Sequence, residues 1–131
     1  MRPPAMTRSV ILSTAAPQPV SAYSQAIQTG SLLFLAGQIP LDPVTGQLVT
    51  GSIAEETDRI MANMSAVLSA AGATLDNVVK TTIYLTNMSD FAAFNQAYAR
   101  YFTKDPPART TVAVAALPLG ARVEVEAIAA L

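Results

Sequence analysis

Arg109, Glu124 and Glu126 are the residues of this 131-residue chain whose type and setting could do chemistry, and it holds no histidine or cysteine to help them. Those absences remove the Ser-His-Asp triad, the cysteine nucleophile, and zinc or iron–sulfur centres built on such ligands. Any general acid or base must therefore be a carboxylate, a lysine, a tyrosine, a backbone group or a held water. Arg109 follows Pro106-Pro107-Ala108 at the mouth of an expected strand, where a guanidinium can grip a carboxylate at two points. On position alone, a solvated surface arginine is the commoner outcome. Glu124 and Glu126 lie two apart on a strand and so share one face, with Val123, Val125 and Ala127 on the other. Set among apolar residues, such carboxylates are either a solubility device on an edge strand or a positioned acid and base.

Other polar groups carry weaker signals. Tyr23 follows a proline-broken loop. Tyr84 and Tyr98 suit core or interface packing, and Asn95 near the middle of a helix suits solvent. Lys80 among threonines fits a surface charge better than a Schiff-base lysine. Gly37, in Ala36-Gly37-Gln38 at the end of an apolar run, allows close backbone approach. Neither GxxxxGK nor GxGxxG occurs, so no nucleotide cofactor is indicated.

The eight basic residues are scattered singly against nine acidic ones, which leaves no stripe to follow a phosphate backbone and makes nucleic acid a poor partner. With 13% charged against 51% hydrophobic residues, little polar material is left to cover a monomer, so burial against other copies is expected. An alanine-rich monomer is the alternative. No apolar run approaches the ~18 residues of a membrane span. Val10-Ile11-Leu12 is too short for a secretory leader, so a cytoplasmic protein is expected.

These residues need elements to hold them. Residues 1–8 read as a lead-in to one domain over 9–131, which starts with a strand from Ser9 to Ser13. Two runs around Gly30-Ser31 form a hairpin, and the second, Leu32 to Ala36, is continuously apolar and should be a buried central strand. Ser52 and Glu55 form a capping box for a helix with a stripe at Ile60, Met64, Val67, Leu68 and Ala71, stopped by Gly72. In the strand from Val78 to Leu85, alternation places Val79, Thr81, Ile83 and Leu85 beneath that helix. Ser89-Asp90 caps a second helix with Phe91, Phe94 and Tyr98 in one stripe. Strands over Thr110–Ala116 and Arg122–Ala130 follow. The order β-β-β-α-β-α-β-β predicts an α+β fold, one mixed sheet with both helices on one face. Val123, Val125 and Ala127 are expected on the other face, which a ring of subunits could bury.

Six segments together resemble the RidA/YjgF family. They are Tyr23-Ser24-Gln25-Ala26-Ile27, Gly37-Gln38-Ile39-Pro40, Asp42-Pro43-Val44-Thr45-Gly46, Asn77-Val78-Val79-Lys80-Thr81-Thr82, Pro107-Ala108-Arg109 and Val123-Glu124-Val125-Glu126-Ala127-Ile128-Ala129. The resemblance covers the chain from about Ser9 onward. It implies a chorismate-mutase-like homotrimer whose sheets face the centre, with sites in clefts between subunits. It also implies hydrolysis of reactive 2-enamino and 2-imino acids, such as 2-aminoacrylate and 2-iminopropionate, to 2-keto acids and ammonia, without metal or cofactor. Arg109 matches the arginine that binds the substrate carboxylate and Glu124 the residue that positions water. Tyr23, Ala36, Gly37, Asn95 and Thr111 match cleft positions. The chain departs from the family in Ser21-Ala22, where Gly-Pro is frequent, in Ala36, where serine is frequent, and in a short Thr103–Pro107 segment. A carboxylate-binding or protein-binding trimer without turnover is the alternative function, and a ribonuclease or translation inhibitor is a third.

Overall fold

The structure is a computed structural model that describes residues 7–131, so most of the expected lead-in, 1–8, lies outside the described residues. Its elements are β1 (Ser9–Ile11), β2 (Ala26–Thr29), β3 (Leu32–Gln38), α1 (Ile53–Ala70), β4 (Val78–Leu85), α2 (Phe91–Ala99), β5 (Ala108–Ala113) and β6 (Val123–Ala130). The predicted order is therefore observed. One six-stranded sheet runs β1-β2-β3-β6-β4-β5 and is antiparallel everywhere except between β4 and β5. Threading β6 between β3 and β4 leaves those two strands parallel, as a helical connection between them requires.

The helices cover one face because the strands alternate. Leu33, Leu35, Ile83, Leu85, Val123 and Val125 pack in one cluster with Ile60, Met64 and Leu68 of α1 and Phe94 and Tyr98 of α2. Each fully buried large side chain there contributes about 2 kcal/mol of burial free energy. Ser52 caps α1 by accepting from the Glu55 amide at 3.1 Å, and Gly72, at φ 74°, supplies the left-handed residue that ends it.

Several expectations change in detail. Only half of the capping box forms, since the Glu55 carboxylate accepts from the Ser52 hydroxyl at 3.3 Å. The cap before α2 is Asn87, whose Oδ1 accepts from Ser89 N at 2.9 Å, because the chain makes a 3₁₀ turn over Met88–Asp90 first. The first strand stops at Ile11, and β5 starts and ends earlier than Thr110–Ala116. Val79 is exposed and Val78 buried in its place. β4 carries one extra residue there, between the pairs Val78–Ala129 and Lys80–Ile128, which switches the face beyond it. Val123, Val125 and Ala127 lie under the helices rather than on the open face. The open face instead carries Glu124, Glu126 and Ile128. The apolar run of β3 is likewise buried on one side only, with Leu32 and Phe34 about 40% exposed on the open face.

Candidate functional site

Arg109 sits on the edge strand β5, directly opposite Thr81 of β4, and points to the helix-covered side. Its Nη1 donates to Asn95 Oδ1 at 2.7 Å, and its guanidinium carbon lies 5.1 Å from the ring centroid of Tyr98 and 5.3 Å from that of Phe91. Residues 91, 95 and 98 are spaced four and three apart, so α2 presents all three on one face. Each ring contact is worth about 0.5–1 kcal/mol and the charged hydrogen bond about 1.5–3 kcal/mol. Together they hold a long side chain in one orientation. Nε and Nη2 have no protein acceptor among the described residues. A hollow of about 370 Å³ opens beside this group, lined by Asn95, Tyr98, Ala99, Phe102, Pro106, Pro107 and Arg109.

Glu124 leaves β6 on the other side of the sheet. It lines a second hollow, of about 430 Å³, with Tyr23, Ala36, Gly37, Ile39 and Leu119 among its walls. A one-residue bulge in β3 sets this place, because Ala36 and Gly37 together occupy one position between the pairs Leu35–Ala127 and Gln38–Val125. Burial, and after it the neighbouring Glu126 carboxylate, push the Glu124 carboxyl above its usual range. Glu126 accepts from the Tyr84 hydroxyl at 2.5 Å, and this bond is the leading reason that the phenol is pushed up to about 12. Lys80 Nζ donates to Thr110 Oγ1 at 2.8 Å on the same open face.

Buried Gln25 organises the loop that carries Tyr23. Its Oε1 accepts from Ser13 N at 2.6 Å, and its Nε2 donates to the carbonyls of Ser13 and Pro17 at 3.1 and 2.9 Å. These bonds tie down a segment whose prolines cannot join a ladder. Tyr23 itself is half exposed at the rim of the hollow.

The structure thus brings the expected residues together as two groups. Arg109 and Asn95 form one, and Tyr23, Ala36, Gly37 and Glu124 the other. Thr111 is two residues beyond Arg109 on the same side, opposite Ile83, and outside the residues lining either hollow. Asn95 is not a solvent-facing residue but the partner of Arg109. Sequence reasoning assigned Phe91 and Tyr98 to packing and passed over Gln25. The spacing of 91, 95 and 98 was the available signal for the first two. A buried glutamine spanning two loop segments leaves no pattern.

The family described as endoribonuclease L-PSP matches residues 13–131 of this chain. A RutC family protein of Pyrococcus abyssi is 48% identical over 95% of this chain and 98% of its own length. A mouse 2-iminobutanoate/2-iminopropanoate deaminase is 48% identical over 93% of this chain and 90% of its own. The crystal structure of a Rid family protein from Yersinia pestis superposes with a TM-score of 0.91 at 46% identity, over 95% of this chain and all of that one. With its fold, its six sequence blocks and these relatives in agreement, the chain belongs to the RidA/YjgF family.

Proposed function

We propose that this protein hydrolyses 2-imino acids, the tautomers of 2-enamino acids such as 2-aminoacrylate, to 2-keto acids and ammonia in a site shared between copies of the chain. The separation of Arg109 and Glu124 onto opposite faces of one sheet carries this reading. A substrate of a few carbon atoms cannot reach around a sheet edge to touch both, whereas an edge strand of one copy laid against the open face of the next can join the two groups. The exposed Leu32 and Phe34 on β3, with Val112 on the far edge strand β5, give that open face an apolar surface to bury. A chorismate-mutase-like homotrimer with sheets turned to the centre satisfies these demands. Each cleft then has Arg109, Asn95 and Thr111 from one copy and Tyr23, Ala36, Gly37 and Glu124 from the next. A relative at 48% identity that is named as a 2-iminobutanoate/2-iminopropanoate deaminase supports the same chemistry.

In the reaction, the free edge of the Arg109 guanidinium binds the substrate carboxylate, and Asn95 and the two rings keep it from following the substrate. The iminium carbon is already electrophilic. Glu124, as carboxylate, takes a proton from a water as its oxygen bonds to that carbon. The resulting carbinolamine receives that proton on nitrogen, the C–N bond breaks with its electron pair leaving on ammonia, and the hydroxyl passes its own proton to the Glu124 carboxylate as the carbonyl forms. A carboxyl pushed above its ordinary range is a stronger base than a freely solvated one, which suits it to take the proton from water and then return it to nitrogen. A scaffold without histidine or cysteine suffices for such a substrate.

The test generates 2-aminoacrylate from serine with a dehydratase and traps the surviving imine with semicarbazide. The wild-type protein should lower the trapped fraction and Arg109→Ala should restore it. Equal trapping with and without the wild type overturns hydrolysis and leaves a carboxylate-binding protein. A native mass of one chain overturns the shared site.

A further inference from the structure

Thr81 and Tyr98 are a buried hydroxyl pair that the chemistry above leaves unused. Thr81 is fully buried and Tyr98 is 3% exposed, and their hydroxyl oxygens lie 2.8 Å apart, with either able to donate. Two polar groups in an apolar core cost more than they return unless they bond to each other, and a valine and a phenylalanine would fill the same space. Their position relative to Arg109 gives the pair a purpose. Thr81 is the direct cross-strand neighbour of Arg109 in the parallel β4–β5 ladder, on the same helix-facing side. Tyr98 comes down from α2, bonds Thr81 through its hydroxyl, and lays its ring 5.1 Å from the Arg109 guanidinium carbon. The strand that carries the arginine, the strand beside it and the helix above are thereby linked through one ring. Phe94 and Phe102 flank that ring with centroids at 5.3 and 4.8 Å, so it is packed along its sides and, among the described residues, hydrogen-bonded at its tip by Thr81 alone.

We infer that Thr81, acting through Tyr98, is a positioning residue for substrate-carboxylate binding by Arg109. The inference rests on the hydrolase reading for its substrate, and on the side-chain geometry alone for the arginine. Without the hydroxyl bond the Tyr98 ring can rock about its Cβ, and the guanidinium stacked on it loses a fixed bed. The Asn95 hydrogen bond and the Phe91 ring then hold Arg109 without it. The damage falls on binding, since neither Thr81 nor Tyr98 reaches the atoms that react.

The experiment compares Thr81→Val, Thr81→Ser and Tyr98→Phe with wild type in steady-state imine hydrolysis, and in calorimetric titration with 2-oxobutanoate, a stable 2-keto acid. Thr81→Val and Tyr98→Phe should each raise KM and Kd about fivefold, the worth of one lost hydrogen bond, with kcat within about twofold of wild type. Thr81→Ser keeps the hydroxyl and should retain wild-type KM. The double variant Thr81→Val/Tyr98→Phe should be no worse than either single one, because all three lack the same bond. Unchanged KM and Kd in both single variants, with only a lower melting temperature, reduces the pair to a structural bond and overturns the inference. If wild type binds 2-oxobutanoate without turning over an imine, the hydrolase reading falls and the Kd series still decides the role of Thr81. If wild type neither binds nor turns over, both fall.

Discussion

A methyl group placed on the Cα of Gly37 would lie 2.8 Å from Cδ and 3.0 Å from Oε2 of Glu124, closer than real Cβ contacts come. The bulge in β3 therefore presents bare backbone to the carboxylate that we propose moves the proton. Gly37→Ala should swing the Glu124 side chain away, because a side chain yields before a strand does. We expect kcat/KM to fall about tenfold to a hundredfold through misplacement, with stability changed by less than about 1 kcal/mol. Kinetics and a thermal melt of the same sample check this, and full activity in the variant would refute the contact's importance.

The acid limb of the pH–rate profile should follow Glu124. Its carboxyl is raised above the ordinary 4.5, first by burial and then by Glu126. Glu126→Gln removes the second cause, so Glu124 ionises at lower pH and the acid limb of kcat/KM moves down. A limb that stays where it was would assign the titration to another group.

The same shift makes Glu124 a cost to folding at neutral pH. A group with a raised folded pKa favours the fold fully below its unfolded value, here about 4.5, and that contribution is lost as the pH rises through the folded value. Glu124→Gln should thus melt higher than wild type at pH 7 while losing activity, and the difference should shrink below pH 4.5. Melts across that range decide the matter, and a lower melting temperature at pH 7 would contradict it.

Phe34, 42% exposed and paired with Ile128 across β3 and β6, stands on the open face. If that face is buried between copies, Phe34→Glu places a charge in the contact. Native mass spectrometry should then show single chains, and hydrolysis should fall more than about tenfold with it, since separated copies split the site. A monomeric variant that keeps full activity would place the whole site within one chain.

Arg122 donates to the buried carboxylate of Glu56 and, at 2.7 Å, to the Gly51 carbonyl, tying the start of β6 to the start of α1. The two partners are unequally buried, at 43% and 6% side-chain exposure, so their losses should be unequal too. Arg122→Ala strands a buried charge and should cost about 3 kcal/mol, while Glu56→Ala leaves an arginine that reaches water and should cost about 1–2 kcal/mol. Urea unfolding at matched protein concentration measures both, and equal losses would contradict the asymmetry.

Much of this protein was determined by local pattern. The missing histidine and cysteine narrowed the acid–base chemistry to carboxylates, lysine, tyrosine and held water. Alternation from Val123 to Ala130 set Glu124 and Glu126 on one face, and Ser52 and Gly72 bounded α1 within a residue or two. These are properties of neighbours in sequence, and the period of a strand or the cap of a helix carries them without help from the rest of the chain. Only the tertiary structure decided which face of the sheet the helices took. It buried Val123 and Val125, exposed Leu32 and Phe34, and inserted the extra residues at Val79 and Gly37. A continuous apolar run reads the same from either side, and a bulge depends on the partner strand's register. Likewise Arg109, an ordinary surface residue by its position in sequence, became a guanidinium held in one orientation once α2 laid Phe91, Asn95 and Tyr98 against it. That contact joins residues up to 18 positions apart, and the packing of a helix on an edge strand, rather than any motif, creates it.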